Sequence, residues 1–478
     1  MNQVITMPTR ELRTVLTGFS KIINKSSSLP ALRSVRLQRS ESGVLKLHAT
    51  DIDSFATYLP AASQPGPEVD VLVPLDSLTA AVKGGKGAIE LIPESKERLM
   101  LRTFVSQTAL EEVLELPPVA DWPEMPEIAA EGFLVDETFK SCLREALDCS
   151  SSDESRYILN GASLDVRDSN SHYLIGTDGR HLYLANSFNF KLAESVVMPN
   201  RKFLGWAELY NQENWVIGTE QKGETTWIQI ASPRWLFRTR AIPGQYPNWK
   251  AVAPSVEEAK TFVSFNPDAM AQVVDLLPRL PGRTLLNKPI RLAITPGGVK
   301  LGVRNRETDS FSEYPIPGVV VTGNPVQITL NREYLEKALR MGLSELIITD
   351  NLVPVICRNG GRQMIIAPLR PEAEPEQPQP AVESNPSDSQ QNPPTTEPET
   401  HAMTENTSTT TKTAKQPSSA MQQLFEQVES VKTSLKDVLR QLGDTANLLK
   451  AAEKENRATE KEIDTVRATL RSLQKVSI

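Results

Sequence analysis

Between residues 1 and 370 a short β-like run, a polar cap and an amphipathic helix pattern recur six times. The copies read VITMPTREL, VLVPLDSL, FLVDETF, VVMPNRKF, VSFNPDAM and ITLNREYL. Their leading helical apolar residues are Leu12, Leu78, Phe139, Phe203, Met270 and Tyr334, spaced by 66, 61, 64, 67 and 64 residues. A fixed period of this length marks a supersecondary unit that buries its apolar face only against a neighbour. Thr9, Asp76, Asp136, Asn200, Asn266 and Asn331 stand where a side chain can accept from the free N–H groups of a helix start. In the first copy Leu12, Val15, Leu16, Phe19, Ile22 and Ile23 make one apolar stripe. Alternating runs such as Val35–Leu37, Leu45–His48, His172–Ile175 and Leu182–Leu184 follow the helices, punctuated by Gly or Asp-Gly turns. Each unit is one helix plus several strands, and two units together reach a natural domain size of roughly 120–130 residues. The expectation is an α+β chain of three similar domains, 1–127, 128–255 and 256–370.

The polar faces of the helices share a sign. They carry Arg10, Arg13, Lys21, Lys83, Lys86, Lys140, Arg144, Arg201, Lys202, Arg332, Lys337 and Arg340. Helix by helix this is an ordinary solvated face. Repeated in five of the six units, it is the pattern expected if the helices line one surface that meets phosphates.

The composition changes after Arg370. Residues 371–420 hold nine prolines and no aromatic residue, so they are expected to be a disordered linker. Residues 421–475 then carry apolar residues at 3.5-residue spacing: Met421, Val428, Leu435, Leu442 and Leu449 at one heptad position, Leu424, Val431 and Val438 at another. That spacing predicts a left-handed coiled coil ~80 Å long, with Asn456 at a core position fixing register. The net charge of -7 belongs largely to this tail, which has 12 Lys+Arg against 17 Asp+Glu; the body has 40 against 42.

Three cysteines without a CxxC and four scattered histidines exclude a disulfide scaffold and a zinc ribbon. No apolar run reaches the ~18 residues of a membrane span, and the first residues lack a signal-peptide core. The expectation is a cytoplasmic, nucleoid-associated protein with no membrane contact. Gly84-Gly85-Lys86-Gly87 follows a helix where a phosphate loop would precede one. No acid–base or nucleophile constellation appears, so no catalytic residue, cofactor or metal is expected. Trp206, Trp215, Trp227, Trp235 and Trp249 are read as core or interface residues and not as base-stacking platforms.

The body resembles the bacterial DNA polymerase III beta subunit, the DNA sliding clamp. The resemblance is carried by LPALRSVRLQ and HATDIDSFATYLP, by RYILNG followed by TDGRHL, and by ITLNREYLEKALRMG with IITDNLVPVICRNGGRQMIIAPLR. It covers residues 1–370 and not the tail. It implies a processivity factor and no enzyme: a homodimeric ring that encircles double-stranded DNA, slides without reading bases, and tethers a DNA polymerase and clamp loader. The helical cations named above, with Lys25 beside Ser26, would then face DNA.

The resemblance further implies a partner-peptide pocket between the second and third domains. By position it would use Leu159, Thr177, Gly179, Arg180, His181, Leu182, Pro247 and Val252. The third domain would add Tyr334, Leu352, Pro354, Ile365, Ile366, Ala367, Pro368, Leu369 and Arg370. Several positions depart from the family pattern. Arg180 and His181 exchange the common order of imidazole and cation, Ala251 stands for a frequent Arg, and Ala367 for a frequent Met. Ser26 and Asp153 stand at loop positions that are often basic or polar in the family. These departures leave a second reading open, a clamp-derived scaffold or inhibitor assembled through its coiled coil with a partner chain. The tail also holds Met421-Gln422-Gln423-Leu424-Phe425, whose Leu-Phe end matches the family's partner motif and suggests docking in cis.

Overall fold

The computed structural model describes residues 4–370 except 63, 85, 86, 130 and 307–309. The expected linker at 371–420, the coiled coil at 421–475, the Leu424-Phe425 segment and Lys86 lie outside the described residues.

The six units are present, and each opens with a short strand that leads into a helix or helical turn. The helices are α1 (Thr9–Phe19), α2 (Leu75–Gly84), α3 (Glu137–Asp148), α4 (Ala207–Tyr210), α5 (Pro267–Leu276) and α6 (Arg332–Arg340). Asp136, Asn266 and Asn331 cap as expected: their side chains accept from the backbone N–H of Phe139, Ala269 and Glu333. Three expected caps are corrected. Thr9 is already the first residue of α1, behind Pro8, and Asp76 lies inside α2. Asn200 caps nothing; its amide donates to the Leu147 carbonyl and to Ser150 Oγ. The fourth unit has no long helix. A 3-10 turn at Lys202–Gly205 breaks at Trp206 before the single turn of α4. The tertiary reason is the Trp206 ring, which seats on Gly18 of α1, where a Cβ would come within 2.6 Å of it.

Units pair by exchanging their opening strands. Ile5–Pro8 of the first unit lies against Ala88–Pro93 of the second, and Val69–Pro74 of the second against Ser34–Arg39 of the first. The next pair repeats this with Phe133–Leu134 on Val216–Lys222 and Val196–Pro199 on Gly161–Asp165. The last does so with Thr261–Phe265 on Glu345–Ile348 and Val326–Asn331 on Pro289–Thr295. A unit alone would therefore leave one strand edge open, which explains why the pair is the folding module.

Two further antiparallel joints link the pairs. Ser54–Tyr58 pairs with Trp235–Arg240, and His181–Phe188 with Arg362–Ile366. The result is an eight-stranded and a nine-stranded sheet, with a four-stranded sheet left at each end of the order. Helices cover one sheet face. The main core holds Leu12, Leu78, Leu143 and Leu335 from the helices with Tyr58, Tyr183, Phe237 and Met364 from the joint strands. The alternate strand residues Ile175, Leu182, Leu184 and Ile365 form a separate cluster on the opposite face, as the two-residue strand period requires. Trp215, Trp227, Trp235 and Trp249 are buried. Among the described residues no helix is long and apolar enough to cross a membrane.

Candidate functional site

The helical cations divide into three groups. Arg10, Arg13, Lys21, Lys25, Lys83, Arg144, Lys202 and Arg340 are exposed, and Arg201 and Lys337 are half-buried. Lys140 and Arg332 are corrected: both are buried and unavailable to an external phosphate. Lys140 curls over the Trp215 ring and donates to the carbonyls of Tyr210 and Gln212. Arg332 donates to the carbonyls of Leu280, Pro281 and Pro289. Each satisfies carbonyls of segments distant in the chain, which helical periodicity cannot reveal. Exposed ion pairs engage Lys25 with Asp76 at 2.7 Å and Arg340 with Glu336.

The second group of expected residues meets at the joint between the second and third pairs. Asp178 and Gly179 turn the hairpin that ends in the joint strand. Thr177 Oγ1 donates to the His181 carbonyl at 2.5 Å and accepts from Gly179 N–H at 3.0 Å. Asp178 Oδ1 accepts from the N–H groups of Arg180 (2.8 Å) and His181 (3.0 Å) and lies 2.8 Å from His181 Nδ1. Tyr334 of α6 donates to Asp178 Oδ2 at 2.7 Å and stacks on the His181 ring at 4.2 Å. Burial by itself would raise the Asp178 carboxyl. The hydrogen bonds and charge of His181 outweigh it and hold the group well below the usual carboxylate range. Burial, and then the bond to Asp178, push the Tyr334 hydroxyl up to about 12. His181 Nε2 is buried and has no hydrogen-bond partner.

Leu159, Leu182 and Ile365 form the apolar floor together with Tyr246 and Trp249, which the sequence had not pointed to. Val252 and Leu352 are 61% and 62% exposed, and Pro354 is half-buried. Pro247, Ala367 and Arg370 are also exposed, and Pro368 and Leu369 are half-buried. Ala367 N–H donates to the Arg180 carbonyl, which ties the chain after the joint strand to the turn. Ile366 is corrected. It points to the opposite face and is buried in the main core, because strand neighbours alternate. Arg156, missed in the sequence, donates to the Asp178 carbonyl. It shares with Asp178, Arg180, His181, Tyr334 and Lys337 a polar cavity of about 510 Å³. It opens the RYILNG segment, which carried the resemblance but no separate cue to the pocket.

The equivalent joint between the first and second pairs uses the same turn. Thr50 Oγ1 donates to the Ser54 carbonyl and accepts from Ile52 N–H, while Asp51 Oδ1 accepts from Ser54 N–H. Its outer face is different. His48, Thr57 and Arg238 occupy the places of Ile175, Leu184 and Ile365 in the paired registers. Arg238 donates to the Pro126 carbonyl and His48 meets Thr57 Oγ1 at 2.8 Å. An apolar floor is thus built at one joint and a hydrogen-bonded polar layer at the other. Among the described residues no group of three or more His, Cys, Asp or Glu is placed to hold a metal ion.

No protein-family model matches the chain. The beta sliding clamp of Buchnera aphidicola subsp. Acyrthosiphon pisum is 22% identical over 362 residues, which cover 70% of this chain and 88% of that protein. The crystal structure of the beta subunit from the DNA polymerase of Streptococcus pyogenes superposes with a TM-score of 0.68 at 17% identity, over 77% of this chain and 100% of that one. The DNA polymerase sliding clamp of Bacillus subtilis gives 0.66 at 18% identity, over 78% and 100%. The chain resembles the bacterial beta sliding clamps in sequence and has their fold.

Proposed function

We propose that the protein is a DNA polymerase processivity factor that works as a head-to-tail dimeric ring around duplex DNA. One observation carries the reading. At both joints the third strand after the helix of an odd unit pairs with the third strand after the helix of an even unit. The third strands left over are Ser312–Ile316, which Val319–Gly323 follows in the fifth unit, and Thr108–Glu115, and each is a sheet edge. Each leaves apolar side chains in solvent, Tyr314 at 36% exposure and Leu110 at 51%. The same rule applied between two copies gives two more joints and leaves none of these edges open. The same pairing supports domain limits at 127 and 255, which fall in the connections between pairs.

In this reading the helical cations meet phosphates and the ring slides because nothing reads base edges. The floor of Leu159, Leu182 and Ile365 receives a short apolar peptide from polymerase or loader, with the Asp178–His181–Tyr334 cluster as its polar edge. The protein then needs neither catalytic residue nor cofactor, and works at the nucleoid in the cytoplasm. Light scattering after size exclusion tests ring closure. A dimer both for residues 1–370 and for the full chain supports it. A monomeric 1–370 beside a dimeric full chain would mean that closure depends on the tail. Polymerase stimulation on a primed circle with a matching loader separates the reading from the scaffold alternative, in which loading would occur without stimulation.

A further inference from the structure

Helices α1 and α5 open equivalent units in the first and third pairs, yet their exposed stripes have opposite sign. The stripe of α1 and the residues after it shows Arg10, Arg13, Thr14, Thr17 and Lys21, with no acid. Arg13 donates to the Val82 carbonyl; Arg10 and Lys21 make no ion pair among the described residues. The stripe of α5 and the residues after it shows Asp268, Ala271, Gln272, Asp275 and Arg279, and its one cation, in the place of Lys21, is tied up by Asp275. Its neighbour α6 does not compensate. Arg332 is buried, Lys337 lies 3.3 Å from Asp148 Oδ2, and Arg340 pairs with Glu336. Arg279 pairs with Asp275 at 2.5 Å, and Arg283 sits in the loop beyond. The second pair keeps exposed Lys202 and Arg144, the latter over the Tyr210 ring.

An internally paired cation releases little counterion when a phosphate approaches, whereas an unpaired one contributes fully. An exposed carboxylate repels the phosphate over about one Debye length, ~8–10 Å in physiological salt. We propose that phosphate contact is confined to the helices of the first and second pairs, and that α5 of each copy is a repelling gap, so that the duplex rests against α1 of one copy or the other. The proposal rests on the reading of the helical face as the DNA face and adds which sector of it binds.

The test uses the full chain and a fluorescent blunt DNA duplex, with anisotropy measured over a range of KCl concentrations. The double variant Arg10→Ala/Lys21→Ala should lower the slope of log K against log salt by roughly 0.9 for each cation. Arg340→Ala should change binding by less than about twofold, since its cation is already paired. Asp268→Lys should tighten binding and steepen the slope. All four positions are exposed, so unchanged melting temperatures keep the comparison free of folding effects. Equal losses for Arg340→Ala and for the double variant, or no gain from Asp268→Lys, overturn the sector assignment and leave the DNA reading intact. Absence of any salt-dependent duplex binding by the unaltered chain overturns the DNA reading and the inference with it.

Discussion

One residue shows strain that its counterpart avoids. Ile52 and Gly179 occupy the same place in two matching turns, with φ of 79° and 84°. Glycine adopts that conformation freely, whereas a β-branched residue there loses ~1–2 kcal/mol. Ile52→Gly should therefore stabilise the protein by about 0.5–1 kcal/mol once the added chain entropy is subtracted. Gly179→Ile should cost ~1–2 kcal/mol. Urea midpoints check both, and a lower midpoint for Ile52→Gly would refute the strain. His48 gives a pH prediction. Burial, and then the charges of Arg36 and Lys46, push its imidazole down to about 3. The folded state keeps it neutral while the unfolded chain takes a proton below ~6.5. Its contribution is therefore complete above pH 6.5 and is lost as pH falls towards 3, by up to ~1.4 kcal/mol per unit. Relative to His48→Gln, the native protein should lose stability over that window and not above it, as urea titrations at each pH would show.

Among the elements, the joints repeat a device. Glu145 of α3 accepts from Tyr183 of the joint strand and from Arg362 across the joint. Glu11 of α1 accepts from Tyr58 and lies 3.4 Å from Arg234 across the other joint. In both, a helix carboxylate on the core side pins a strand tyrosine and a cation from the next pair. Arg362→Ala leaves the half-buried Glu145 without its cation and should cost ~1–3 kcal/mol. The loss should appear as earlier hydrogen exchange in His181–Phe188 than in Ser54–Tyr58; equal exchange in the two strands counts against the device. Gly18→Ala should loosen the other joint, since its Cβ would meet the Trp206 ring at 2.6 Å, at about 1–3 kcal/mol in a thermal melt. The caps at Asp136, Asn266 and Asn331 were legible because a helix start is a local event. The break at Trp206 was not, because its cause sits in α1, in another unit.

For the whole molecule the consequence is association. If Thr108–Glu115 closes a ring, Val113→Pro removes a backbone donor from that edge and should give monomers in light scattering. The melting of each isolated chain should change little, because Val113 is 46% exposed and packs on no core. A Val113→Pro protein that remains dimeric would place the closing contact elsewhere.

The sequence by itself determined the sixfold unit, three of its caps, the Asp178-Gly179 turn and the apolar stripes. All of these are set by interactions within a few residues along the chain or by a periodic pattern. Only the tertiary structure decided which strand each opening strand joins, which joint acquires an apolar floor, and which cations remain in solvent. Strand edges present the same N–H and C=O groups whatever the residue, so the partner is chosen by packing across units. Lys140 and Arg332 look like surface cations in the chain and become buried donors because loop carbonyls from distant segments converge on them. Ile365 and Ile366 read alike in sequence, and the sheet sends one to the pocket floor and the other to the main core.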